Sequence, residues 1–226
     1  MAFVGYSKNV PNFFKALDHN NNKDWFAANK PRFQDEIIEP SIQLIAELSG
    51  QLSTLSPPLK AEPKVNGSIR RIYRDIRFSK DKTPYHSYLH LVFWAGDHPN
   101  KSPGVHVTLG ARGFGFGAGH WVFEGETLEN FRLSVLADGG DEIQTAIALV
   151  EKSGAVLGAP ELKKLPRGYT TDTPGSSWLR YKGLVVKSLD NPYPDALFGA
   201  GAVDYIAQIC RSMSPLNQYL MAYVYT

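Results

Sequence analysis

GVHVTLGARGFGFGAGHW, residues 104–121, changes character at every second residue, and its reading decides the fold. Successive side chains of a strand point to opposite faces, so Val105, Val107 and Leu109 take one face while His106 and Thr108 take the other. The sequence predicts a turn at Gly110 to Gly113, after which Gly113, Gly115, Gly117 and Gly119 all fall on one face of a second strand. HSYLHLVFW, residues 86–94, reads as a further strand. A strand face stripped of side chains admits close approach by another backbone, an aromatic ring, a ligand or a packed helix.

The flanks read differently. Residues 11–52 have helical character: Asn21 or Asn22 can cap a helix carrying Trp25 and Phe26, and Pro31 and Pro40 fall where helices start. Beyond Pro40, Ile42, Ile45, Leu48 and Leu52 recur at helical spacing, with a stop expected near Gly50. Residues 126–153 are helical again, with a break at Asp138-Gly139-Gly140. A Gly-, Pro- and Thr-rich loop over 155–178 leads to a strand in WLRYKGLVVKSL, residues 178–189. Residues 195–224 close the chain as helix, interrupted at Ser214-Pro215. The expected class is α+β, a single domain over 1–226. Its central, mostly antiparallel sheet carries N-terminal and C-terminal helices.

Composition narrows the function. At 226 residues, with 43% apolar and 20% charged residues, the chain can bury a sizeable core and is not disordered. A net charge of +2 argues against a whole-surface affinity for nucleic acid or membranes, so anion recognition would have to be local. The start MAFVGYSKNVPNFF lacks a basic segment followed by an apolar core, and no apolar run approaches the ~20 residues of a spanning helix. A cytoplasmic protein without membrane partners is the expectation. Cys210, the single cysteine, excludes an internal disulfide and sits in helical-looking sequence as a small hydrophobe.

The charge is concentrated in one place. Residues 64–86 carry Lys64, Arg70, Arg71, Arg74, Arg77, Lys80 and Lys82 against only Asp75 and Asp81, with Ile72, Tyr73, Ile76, Phe78 and Tyr85 threaded between them. As a strand, the segment puts Arg71, Tyr73, Asp75 and Arg77 on one face. As a helix, it gathers Ile69, Ile72, Tyr73 and Ile76 into a stripe. Periodicity does not separate the two. A planar guanidinium binds phosphate or carboxylate bidentately and tolerates partial burial, which suits an anion site. Pairing with Asp75 or with remote acids such as Glu124 and Glu126 is the structural alternative.

The run Arg71-x-x-Arg74-Asp75-x-Arg77-Phe78-x-x-x-Lys82-x-Pro84-Tyr85 resembles the signature of the family known as domain of unknown function 2461. Phe14, Leu17, Asn21, Asn22, Trp25 and Phe26 are similar to its N-terminal element. Gly117-Ala118-Gly119-His120-Trp121 is similar to its G-G-G-x-W element, with Ala118 in place of the middle glycine. The resemblance is close over residues 11–135 and loose over 155–200. It implies an α+β domain and brings no activity, cofactor or substrate.

Three functional readings follow. In the first, Arg71, Arg74, Arg77 and Lys82 hold a small phosphorylated or carboxylated ligand, Tyr85 orients it and Trp121 lies beside it. Asp75 then serves as anchor or base, and its place between two arginines favours an ionised anchor. His106 and His120 are the nearby groups suited to proton transfer near neutrality. In the second, the same arginines track phosphates while Tyr73, Phe78, Tyr85 and Trp121 or Trp94 stack bases. In the third, the protein is a scaffold and the arginines form an ion-pair network. GFGFGAG lacks the lysine and hydroxyl residue of a phosphate loop, and no nucleophile elbow occurs. His86 and His90 lie roughly 13 Å apart along a strand, too far for one metal. No metal or cofactor is expected, and the sequence does not indicate an oligomeric state.

Overall fold

The computed structural model describes residues 2–226 and begins with helices α1 (Val10–His19), α2 (Lys23–Phe33) and α3 (Glu39–Ser53). α1 buries Val10, Phe13, Phe14 and Leu17 on one side. The Phe13 ring lies 5.7 Å from Phe33, which in turn lies 5.3 Å from Phe26. This aromatic packing explains a departure from the sequence expectation. Pro31 does not start a helix but lies inside α2, held there because Phe26 and Phe33 on either side of it are both buried. The chain then widens through a π-turn at Gln34–Ile38, and Pro40 occupies the first turn of α3 as expected.

Gly50 does not stop α3, which runs on to Ser53 because Leu48 and Leu52 are buried on either side of it. A Cβ at Gly50 would meet no atom within 4 Å. Gly50→Ala is therefore expected to stabilise the fold by about 0.5–1 kcal/mol, read as a higher midpoint in thermal unfolding.

The sheet comprises β1 (Tyr88–Trp94), β2 (Gly104–Gly110), β3 (Gly113–His120), β4 (Ala155–Leu157) and β5 (Leu184–Ser188), in the order β1-β2-β3-β5-β4. Every pairing is antiparallel. Gly110 pairs with Gly113, so Ala111 and Arg112 form the turn predicted between them. Helices α4 (Glu126–Asp138), α5 (Asp141–Glu151), α6 (Ala202–Ser212) and α7 (Ser214–Tyr223) complete the chain, with breaks where the sequence placed them. One face of the sheet supplies Leu91, Phe93, Val105, Val107, Leu109, Phe114, Ala118, Leu184 and Val186 to the core. Helices α1, α5 and α7 contact the sheet, and α3 and α6 pack on one another. Cys210 is buried in α6, where burial pushes its thiol up. The class is α+β. Among the described residues no helix is long and apolar enough to cross a membrane.

The arginine segment forms neither regular element predicted for it. Residues 68–74 run as irregular extended backbone antiparallel to β1 and the residues before it. Arg70 N–H donates to the His90 carbonyl at 2.8 Å, and Val92 N–H donates to that of Ser68 at 2.9 Å. Tyr73 bridges Tyr85, and Arg74 N–H donates to Pro84 at 2.9 Å. Residues 75–83 project beyond this bridge as a loop.

Both asparagines of the N-terminal element now have roles. Asn22 accepts the Trp25 N–H at 2.9 Å and caps α2. Asn21 clamps the arginine segment from the far side, donating to the Tyr85 carbonyl at 2.9 Å and accepting the Tyr85 N–H at 3.0 Å. Asn22→Ala is expected to cost about 1 kcal/mol, the ordinary loss of a cap. Asn21→Ala strands a partly buried donor and acceptor together and is expected to cost about 2–3 kcal/mol. Chemical denaturation of the two variants side by side checks this ordering.

Candidate functional site

The face of the sheet turned away from the core is the candidate site. Register and alternation place Tyr88 and His90 of β1, His106 and Thr108 of β2, Gly115 and Gly117 of β3, and Lys187 of β5 together on it. Thr108 pairs with His90 and Gly115, and Gly117 pairs with His106 and Lys187. These residues line a cavity of about 540 Å³, together with Arg112, Trp121 and Asp190. Asp18 in α1 is its only lining residue from a helix, so the packed helix anticipated as one occupant of the glycine face does not lie there.

The glycines have a different immediate cause. A Cβ on Gly117 would collide with the Val186 carbonyl oxygen of β5, one on Gly119 with that of Leu184, and one on Gly113 with that of Asn191. Gly113 and Gly119 also adopt φ of +137° and +121°, which disfavour any side chain. The backbone of β5 and the segment after it are what approach. Their approach accounts for Gly113, Gly117 and Gly119, while at Gly115 the Thr108 Oγ1 takes the place a side chain would need. β3 therefore adds no side chain at these glycines to the floor of the cavity.

His90 and His106 meet across β1 and β2, with His90 Nε2 2.8 Å from His106 Nδ1. Their outer nitrogens, His90 Nδ1 and His106 Nε2, have no hydrogen-bond partner among the described residues, and both residues line the cavity. Burial, then the Arg70 guanidinium and His86, hold His90 down at about 4. Burial, then His90, Arg70 and His120, hold His106 down at about 3. Both rings are therefore neutral at neutral pH. Arg70 is half-buried beside them and donates to the Pro99 carbonyl at 3.0 Å. At the other end of the cavity, the Lys187 ammonium lies 4.3 Å from the centre of the Trp121 ring and makes no ion pair among the described residues. Trp121 is 57% exposed. Arg112 is paired with Asp190 at 3.3 Å.

The residues singled out from the signature lie elsewhere. Arg77 and Asp75 pair with one another at 2.7 Å on the exposed loop, and chiefly the Arg77 hydrogen bond lowers the Asp75 carboxyl to about 2. Arg74 ties the loop closed, donating to Asp81 at 2.6 Å and to the Thr83 carbonyl at 2.9 Å. Lys82 donates to the Ile76 carbonyl at 2.9 Å. Arg71 is exposed and makes no ion pair among the described residues. The Tyr85 ring is buried against Phe26, with centroids 4.2 Å apart. His120 is on the core face, where Tyr225 Oη lies 2.5 Å from its Nδ1, so the sheet separates it from His106. The structure thus brings His106 and Trp121 to the cavity and leaves Arg71, Arg74, Asp75, Arg77, Lys82, Tyr85 and His120 outside its lining.

Tyr88, Arg112 and Lys187 were not named from sequence, Arg70 was counted only among the clustered charges, and His90 was weighed only as a metal ligand. The alternation of β1 already put Tyr88 and His90 on one face. What it lacked was the register to β2.

Residues 9–219 match the family model described as a conserved hypothetical protein, DUF2461. The chain belongs to this family. Among curated proteins nothing matches it, and among solved structures nothing matches it either.

Proposed function

We propose that the protein binds a small anionic ligand, phosphorylated or carboxylated, in the cavity over the glycine strand. One observation carries the reading. A floor of β3 glycines lies between an unpaired ammonium, Lys187 beside Trp121, and two hydrogen-bonded imidazoles whose outer nitrogens have no protein partner. Lys187 supplies the charge, Trp121 a flat apolar wall, and Arg70 a positive field from the histidine side. Arg74, Asp75, Arg77 and Lys82 are assigned to the geometry of their own loop instead. DUF2461 membership adds no activity to this reading.

Thermal unfolding in millimolar inorganic phosphate or phenylpyruvate tests it. A ligand at 100 times its Kd stabilises by about 2.7 kcal/mol, which for a chain of this size raises the midpoint by about 5–10 °C. Lys187→Ala is expected to weaken binding about tenfold or more, as loss of a charge-assisted hydrogen bond does. No shift with either compound would refute the proposal.

A second reading has its own observation. Phe78, at the tip of the basic loop, is 95% exposed beside the Arg77 guanidinium, an arrangement suited to stacking a nucleic-acid base. It requires affinity for a labelled single-stranded oligonucleotide that falls steeply with added salt and is lost in Phe78→Ser.

A further inference from the structure

We propose that a second pocket, on an outer face of α4, binds a free α-amino acid with an apolar side chain. The Arg132 guanidinium takes the ligand's carboxylate, the Glu129 carboxylate takes its ammonium, and Leu128, Leu133 and Tyr169 meet its side chain. The site shares no lining residue with the cavity over the glycine strand, and it stands or falls independently of the reading given for that cavity.

Helical periodicity builds one wall of this pocket. Gly125, Leu128, Glu129, Arg132 and Leu133 stand at i, i+3, i+4, i+7 and i+8, the spacing of a single helix face. The residues that α4 buries in the core are instead Phe131 and Val135. Tyr169, from the loop between β4 and β5, adds lining from a second part of the chain. The pocket holds about 390 Å³. That lies within the roughly 300–1,000 Å³ of small-molecule sites.

Arg132 is the observation that asks for a ligand. Its Nε is sealed from solvent and has no hydrogen-bond partner, and it is the only charged group among the described residues in that position. The guanidinium makes no ion pair either. Folded chains rarely leave a buried charged donor without an acceptor, because hydration is lost and nothing replaces it. Of the three guanidinium nitrogens only Nε is sealed, which leaves the terminal pair to donate bidentately to a carboxylate.

Glu129 decides the class of ligand. It is exposed, lines the same pocket and stands three residues before Arg132, a spacing that favours ion pairs, yet the two do not pair. A simple anion on Arg132 would face the Glu129 charge at close range. A zwitterion has no such conflict. Its ammonium and carboxylate flank one carbon, so each meets its own complement and the ligand bridges two charges that the helix leaves apart. Leu133 is 57% exposed and Leu128 half-buried, so an aliphatic side chain laid against them removes apolar surface from water on both sides.

L-Leucine is the probe, followed by thermal unfolding and by nitrogen-15 NMR of the Arg132 Nε–H. At 100 times its Kd it is expected to raise the unfolding midpoint by about 5–10 °C and to shift the Arg132 resonance. N-Acetyl-L-leucine lacks the ammonium and L-leucinamide lacks the carboxylate. Each is expected to bind about tenfold more weakly or worse, as loss of a charge-assisted hydrogen bond does. Arg132→Gln and Glu129→Gln are expected to weaken L-leucine binding by a similar factor in chains whose circular dichroism is native. Lys187→Ala, in the other cavity, is expected to keep the full response. No midpoint shift with L-leucine overturns the site. Equal shifts with either analogue, or an undiminished response in Glu129→Gln, overturn the zwitterion pairing. A response lost in Lys187→Ala places the amino acid over the glycine strand and overturns the α4 site as well.

Discussion

Gly119→Ala is expected to destabilise the protein by about 3 kcal/mol or more, and to do so more than any other single-methyl addition proposed for the chain. Two costs combine at this position. The added Cβ would collide with the Leu184 carbonyl oxygen, which belongs to the neighbouring strand and cannot swing aside as a side chain would. It would also occupy a backbone at φ +121°, and holding a non-glycine residue there costs about 1–3 kcal/mol on its own. Overpacking adds about 1–3 kcal/mol. Relief requires β5 to move away from β3, and β5 carries Lys187 and buries Leu184 and Val186. The expected result is therefore joint: a lower denaturation midpoint and loss of phosphate-induced stabilisation. Gly50→Ala, in open space on α3, is the matched control with the opposite sign. A Gly119→Ala chain as stable as wild type would refute the strand-approach account of the glycine row.

The second large effect is acid lability. Unfolded histidines take up a proton as pH falls through about 6.5. In the fold, His90 stays neutral down to about 4 and His106 down to about 3. Between these limits the unfolded chain binds more protons than the native one, so stability falls as pH falls, by about 1.4 kcal/mol per pH unit for each ring. His86, also lowered by burial and by Arg74, acts in the same direction. The lowered carboxylates Asp75 and Asp81 lose their contribution only below about pH 4. The denaturation midpoint is thus expected to drop steeply from pH 6.5 to 4.5. The drop should flatten in a chain carrying His90→Gln and His106→Asn, and an unchanged slope in that chain rejects the assignment.

How much of this was legible in the sequence depended on how local each signal was. The β2–β3 hairpin was readable because a two-residue turn fixes register, and glycines at alternate positions announced a backbone in close approach. Helix caps and breaks were equally local, which is why Asn22, Gly139 and Pro215 fell where expected while Pro31, overruled by the packing of Phe26 and Phe33, did not. The histidine pair depended on longer reach. His90 and His106 meet only once the loop 95–103 has set the register of β1 on β2, and the spacing of His86 and His90 along one strand said nothing about a neighbour across the sheet. Lys187 joins them through a pairing of β5 with β3 that no local pattern encodes. The arginine signature was visible at once, yet its apolar residues fitted either period, and the partners of its charges emerged only with the loop.

That segment also bears on how molecules of this protein behave toward one another. A sheet with one open face and unpaired outer strands would offer its backbone to any passing strand and invite fibre-like stacking. Here the Arg70 N–H and the Ser68 carbonyl bond to β1, and the Ile72 carbonyl and the Arg74 N–H bond to the residues just before it. Lys60 pairs with Trp94 at its far end, and the opposite border is the three-residue β4. The guanidinium-rich stretch is a selvedge. It finishes the margin with backbone, while its charges repel like surfaces. Cutting the Asn21 clamp that fastens it should therefore show first in concentrated solution, as turbidity growing with time, in a chain whose far-ultraviolet circular dichroism is still native.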